Sequence, residues 1–326
     1  MFFFEDLTII NIVTFIVVIL AAIGINELLR MSKKISIGIF LVLPFIMTFY
    51  WISNDSEVVS WFFWVKVYSA LAGSLIYMVV RFTDYPVKHP GYLLLIPGIL
   101  ALNILEAVVR EFQVVLAGFH GMVDGAYYIS GGWNYVNAVA GIINILLLCG
   151  WVGIKRKERK NRVDMVWPDL GSMYIMAYAL WNISYVYSCS PNNALYSGFA
   201  LNLAPIIPAF FWAKGTWMQN RAHTLSVWMI LIMTFPYLFA DGSMLQASLS
   251  YHAIANWSLA IASLGLNGTL FVWQAARILK TKKNPLREEI WVGTSQYQGE
   301  DEVTENARTG RSNRSGQECS TSSART

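Results

Sequence analysis

Nine predominantly apolar stretches run along the chain, at 7–28, 35–53, 60–80, 91–109, 134–153, 170–189, 195–213, 224–243 and 253–276, with short polar connections between them. Each is close to the ~20 residues that a helix rising ~1.5 Å per residue needs to cross a ~30 Å hydrocarbon layer. The strands of a membrane barrel would alternate apolar and polar positions in ~10-residue segments. Runs such as IVTFIVVILAAIG (12–24) and IINILLLCGWVGI (142–154) do not alternate. The pattern therefore predicts an all-α fold: a polytopic transmembrane helix bundle of about nine spans.

The connections sort by basic charge. One set holds Arg30, Lys33 and Lys34, then Arg81 and Lys88, then Lys155, Arg156, Lys157, Arg159, Lys160 and Arg162, then Lys214 and Arg221, and finally Arg277, Lys280, Lys282, Lys283 and Arg287. The other set (1–6, 54–59, 110–133, 190–194 and 244–252) offers only Arg110, at the end of a span. Lys and Arg hold loops in the cytoplasm. The alternation predicts an N-terminus outside and a C-terminus in the cytoplasm. The opening MFFFEDLTII has no basic n-region and no small-residue cleavage site, so the first span is expected to persist as a membrane helix.

Composition narrows the class further. Hydrophobic residues make up 56% of the 326 and charged residues 13%, whereas a soluble domain averages ~25% charged. Three cysteines do not make a disulfide scaffold. The net charge of +4 is accounted for by cytoplasmic loops, so no nucleic-acid partner is implied. Residues 1–290 are expected to form the transmembrane helical domain. Residues 291–326, rich in Ser, Thr, Gly, Arg and Glu, are expected to form a disordered polar cytoplasmic tail.

Polar residues inside the spans carry the functional signal. A charged side chain at mid-bilayer costs ~2.5–3.5 kcal/mol on an insertion scale and should face protein or water. Span four carries Asn103, Glu106, Arg110 and Gln113; span five Asn134, Asn137, Gly141 and Asn144; span six Tyr178, Asn182, Tyr185 and Cys189; span nine His252, Asn256, Ala260, Ser263 and Asn267. Steps of three and four keep each ladder on one helix face. Span two lacks such a ladder and should face lipid. Lys66 is the one lysine within a span, and Glu106 is the acid at matching depth on the next helix. Lys66, Asn103, Asn182 and Asn202 all fall ~9–11 Å below the outer ends of their spans. The candidate ligand-binding residues of an outer-half cavity are thus Lys66, Asn103, Glu106, Arg110, Asn137, Asn182, Asn202 and Asn256. Pro205 and Pro208 are expected to break span seven.

The Gly-rich loop 110–133 is the longest connection between spans. Its His120 and Asp124 are weak metal candidates, and two such residues do not amount to a site, so no metal and no cofactor is assigned. There is no His-x-x-x-His pair, no Gly-x-Ser-x-Gly elbow and no phosphate-binding loop, hence no catalytic residue is named. A transporter or small-solute binder in the cytoplasmic (plasma) membrane is the leading reading, with membrane lipid and a small polar solute as partners. A structural or sensory bundle whose polar groups only pack helices, and a lipid-modifying enzyme using Glu106 or Asp124, remain as alternatives.

The segments MFFFE (1–5), WVKVYSALAG (64–73), ALNILEAVVREFQ (101–113), GMVDG (121–125), GGWN (131–134), VWPD (166–169), IPAFFWAKGTWMQNRAHTL (207–225) and NPLREEI (284–290) resemble an uncharacterised family of bacterial multi-spanning membrane proteins, a domain of unknown function. The resemblance covers about residues 1–291 and implies an integral membrane protein without implying an activity. Lys66, Asn103, Glu106, Arg110 and Asp124 lie in its matching segments, and the Ser/Thr-rich tail departs from it.

Overall fold

A computed structural model describes residues 3–4, 7–54, 61–123, 126–239, 243, 245–247 and 253–299. Asp124, His252 and residues 300–326 lie outside the described residues. Among those described, nine long helical segments occur, one overlapping each apolar stretch: α1 (Ile9–Met31), α2 (Lys33–Ser53), α3 (Trp61–Phe82), α4 (Pro90–Leu116), α5 (Gly132–Leu146), α6 (Ser172–Cys189), α7 (Pro191–Phe211), α8 (Trp217–Thr234) and α9 (Ala253–Thr281). Two hairpins interrupt them: β1 (His120–Val123) with β2 (Ala126–Ile129), and β3 (Lys155–Arg159) with β4 (Arg162–Val166), both antiparallel.

Six of these helices, α1, α2, α3, α4, α7 and α9, are long and apolar enough to cross a membrane. Their faces differ in a way the residue pattern explains. Along α1 and α2, Ile9, Ile10, Val17, Leu20, Phe45, Ile46, Phe49 and Ile52 are exposed, an apolar belt that a soluble monomer would not present. The other three, α5, α6 and α8, fall short of that length or apolarity. On α6 and α8 most residues are buried, because these helices are wrapped by protein and need no lipid-facing side chains.

Local chemistry sets the ends. Thr8 caps α1, its hydroxyl accepting from the Asn11 amide at 3.2 Å while Asn11 Oδ1 accepts from the Thr8 amide. Ser32 closes the tight α1–α2 corner by accepting from the Ile35 amide. Asn134 caps α5 by accepting from the Gly131 amide at 2.9 Å. The stretch 134–153, expected as one span, is α-helical only to Leu146, with a short 3-10 turn at Trp151–Gly153. At Gly150 the chain turns with φ +63°, a conformation that favours glycine, and Trp167 Nε1 donates to the Cys149 carbonyl at 3.0 Å.

The basic run 154–162, a connection between apolar stretches, forms most of the β3–β4 hairpin, in which Lys155 pairs with Val166 and Arg159 with Arg162. Three further expectations are corrected. Arg110 is not at a helix end, since the apolar run AVVREFQVVL carries α4 on to Leu116. Pro205 and Pro208 sit inside regular α-helix, and the irregular part of α7 is a π-helical turn before them, at Ala194–Ala200. Helix α8 starts at Trp217, seven residues before the expected start at 224, which brings Arg221 into a helix. In addition, the chain stays packed past 290: Trp291 and Gln296 are buried, and the Gln298 amide donates to the Pro168 carbonyl. Of the expected polar tail only 291–299 is described.

Candidate functional site

Helices α3, α4, α6, α7 and α8 enclose a cavity of about 140 Å³. It lies toward the end of the bundle that carries the β1–β2 hairpin and the α6–α7 connection. Lys66 and Phe62 reach it from α3, Asn103 and Arg110 from α4, Tyr128 from β2, Tyr178, Asn182, Tyr185 and Cys189 from α6, Asn193 and Ser197 from α7, and Arg221 and Trp228 from α8. Residues spaced three and four apart on α6 (178, 182, 185, 189) form one wall, as the helical period requires.

The Lys66 ammonium donates to the Asn103 carbonyl and to Asn103 Oδ1, both at 3.2 Å, and to Glu106 Oε2 at 3.2 Å. Ser69 Oγ donates to the same carboxylate oxygen. The expected Lys66–Glu106 pair is present, with the two side chains 13% and 11% exposed. Arg110 lies among the rings of Trp61, Phe62, Phe119 and Tyr128, which stabilise a cation through their electron-rich faces. It donates to Tyr128 Oη and, at 2.6 Å, to Gln113 Oε1. Across the cavity, Arg221 Nη2 donates to Asn182 Oδ1 at 3.1 Å. That oxygen also accepts from Asn202 Nδ2 at 2.9 Å, so Asn202 positions Asn182 from behind. Arg221 is 4% exposed, and its Nε and Nη1 have no hydrogen-bond partner.

The candidates named from the sequence therefore separate. Lys66, Asn103, Arg110 and Asn182 line the cavity, and Glu106 and Asn202 lie one bond behind it. Asn137 belongs to a neighbouring network: with Asn134 it donates to the buried Glu111 carboxylate, at 2.7 Å for Asn137, and Asn134 also reaches Ser188. Asn256, on α9, is buried apart from the cavity lining with its Nδ2 unpartnered. His120 is exposed on β1, and its metal partner Asp124 lies outside the described residues.

With Lys66, Asn103, Glu106 and Arg110 placed within one matched region, the family follows. The chain belongs to a family of unknown function (DUF5692), whose model matches residues 5–303. No curated protein and no solved structure matches it. The family match embraces both the cavity and the packed segment 291–299.

Two residues of consequence escape a reading by periodicity. Arg221 falls in QNRAHTLS (219–226), polar around the whole helix circumference, which reads as a loop. The absence of Gly or Pro between Trp217 and the apolar run beyond is the signal that the helix has already begun. Glu111 lies beyond the expected end of span four, and the continued apolar run to Leu116 is the corresponding signal.

Proposed function

We propose that this protein is a polytopic membrane protein that binds a small solute in the cavity between α3, α4, α6, α7 and α8, and that it serves as a transporter. The observation that carries the reading is the convergence of Lys66, Asn103, Arg110, Asn182 and Arg221 on one cavity. Among polar groups away from the cavity, Asn144, Asn267 and Tyr174 satisfy one another at 2.8–2.9 Å, while Asn26 Oδ1, Asn137 Oδ1 and Asn256 Nδ2 have no partner. Around the cavity, Arg110 Nε, Arg221 Nε and Nη1, and Asn193 Oδ1 are likewise without partners, and such buried groups cost ~1–3 kcal/mol each.

The same proposal takes all nine helices as crossings, with the N-terminus outside. Arg30, Arg81, the β3–β4 hairpin, Lys214 and Lys280 collect at the end opposite the cavity, which the distribution of basic residues assigns to the cytoplasm. The cavity then reaches from the extracytoplasmic side past mid-membrane, with Arg221, four residues into α8, at its deep end.

Water access tests the reading. In a Cys319→Ser background, Asn193→Cys places a thiol on the cavity lining, and the two remaining native cysteines, Cys149 and Cys189, are buried. In intact cells a membrane-impermeant maleimide is expected to label Asn193→Cys above the Cys319→Ser parent. Labelling only after lysis would overturn the orientation, and no labelling in either case would overturn the cavity.

A further inference from the structure

The charge and shape of the cavity define its occupant more narrowly than a small solute, and this step rests on the cavity reading above. Three cations line it: Lys66, Arg110 and Arg221. Glu106 neutralises Lys66 at 3.2 Å. Arg110 has four aromatic rings around it but, among the described residues, no carboxylate within ion-pair distance. Arg221 has one ring, Tyr178, at 5.8 Å, one amide oxygen, and likewise no carboxylate among the described residues. Among the described residues, then, two of the three lining cations have no carboxylate partner. The cavity floor is a guanidinium more than nine-tenths buried with two unpartnered nitrogens.

The rest of the wall combines polar Asn103, Asn182, Asn193 and Ser197 with an apolar and aromatic surface that includes Phe63, Leu225, Trp228, Met229 and Phe239. Polar lining without apolar surface would suit an inorganic anion, whereas this lining also desolvates a hydrocarbon body. A cavity of about 140 Å³ is close to the ~150 Å³ engineered cavity that accepts benzene. A guanidinium is well matched to a planar carboxylate; because Nε and Nη1 share no edge, a two-donor grip at Arg221 uses one of them together with Nη2, which also donates to Asn182 at 3.1 Å.

We infer that the cavity takes a small organic monoanion, a carboxylate on a compact apolar body of one ring or a short chain, with the carboxylate at Arg221 and the apolar body against the aromatic wall. Asn182, held by Asn202, orients the guanidinium. The Lys66–Glu106 pair closes the α3–α4 side without adding net charge.

Titration calorimetry on the full chain in phosphatidylcholine nanodiscs tests this, using benzoate, benzyl alcohol, benzylamine and inorganic phosphate as probes. Benzoate is expected to bind roughly 10- to 100-fold more tightly than the alcohol or the amine, the range of one charge-assisted pair. Arg221→Gln should remove that margin and Arg221→Lys retain part of it; if neither variant folds, the wild-type comparison alone decides. Equal binding of benzyl alcohol, preference for benzylamine, or phosphate binding as tight as benzoate would each overturn the ligand class. Loss of benzoate binding in nanodiscs doped with phosphatidylglycerol would show a lipid headgroup as the occupant and overturn it too. Should no probe bind while Asn193→Cys still labels, the ligand class fails and the cavity stands. If both fail, the cavity reading falls with it.

Discussion

At the scale of single residues, the consequences of burial can be measured. Lys66 and Glu106 share a largely desolvated site, so removing one partner leaves the other's charge uncompensated, whereas removing both does not. Lys66→Met alone is expected to destabilise by about 1–3 kcal/mol, and Lys66→Met with Glu106→Gln to recover most of the loss. Thermal unfolding of the four proteins of that cycle in detergent checks it; additive effects would show that the pair is not coupled. Gly150 gives a second case. Its φ of +63° is adverse to a side chain, and a Cβ there would stand 2.3 Å from Asp169 atoms. Asp169 is not free to yield, because it accepts from the Ile290 and Trp291 amides at 2.6 and 2.8 Å. Gly150→Ala should therefore cost more than the ~1 kcal/mol of backbone strain alone, read as a lowered Tm. The Lys66–Glu106 pair is legible in the sequence because Lys66 is the one lysine within a span and Glu106 is the acid at matching depth on the next. Arg221 is not, because a helix buried on every side has no polar face to reveal its period.

At the scale of elements, the β3–β4 hairpin depends on one carboxylate. Asp164 is fully buried and accepts from Arg30 Nε at 2.7 Å and Nη2 at 2.9 Å, and from Gln219 Nε2 at 3.2 Å. Gln219 Oε1 in turn accepts from the Met165 amide. Burial by itself pushes the Asp164 carboxyl upward, but the hydrogen bonds and positive charge of Arg30 outweigh it and hold the group below its ordinary value. The sign follows: the folded state binds its proton less readily than the unfolded chain. Docking energy from this group is complete above the unfolded value of ~3.9 and is lost as pH falls through the lower folded value. Asp164→Asn is expected to cost about 3 kcal/mol, moderated because Glu27 still pairs with Arg30 at 2.5 Å. It should also make the segment at Arg159 and Lys160 more sensitive to trypsin and remove the acid-induced loosening expected of the unsubstituted protein. Unchanged cleavage would mean that the hairpin is held by other contacts. The basic run that forms this hairpin was read as an orientation signal, since KRKERKNR (155–162) carries no apolar alternation. Its strand character comes from the contacts of Asp164, Met165 and Val166, which are long-range and invisible locally.

At the scale of the whole molecule, the remaining question is whether helices that are not apolar enough to face lipid nevertheless cross it. The stretch-by-stretch pattern located all nine helical segments because each contains an apolar run, yet only six meet the criteria of length and hydropathy. Helices α6 and α8 pack within the bundle, with Trp181, Tyr187, Trp217 and His223 buried to 1–2% or less. A crossing helix wrapped by neighbours can carry Gln219, Asn220, Arg221 and His223 because each meets protein rather than hydrocarbon. The β3–β4 hairpin before α6 and Lys214 before α8 are basic, while Ser190 between α6 and α7 and the first turn of α7, Pro191–Asn193, include no basic residue. Crossing by both helices is the arrangement in which every basic connection shares one side. Reporter fusions placed at Lys160, Asn193, Gly215 and Ser243 should accordingly read cytoplasmic, external, cytoplasmic and external. If α8 lay within one leaflet, the reporters at Gly215 and Ser243 would agree with each other. The polar turns of α8 would then face an interface rather than a cavity, and Arg221 would lose the desolvation on which anion recognition depends.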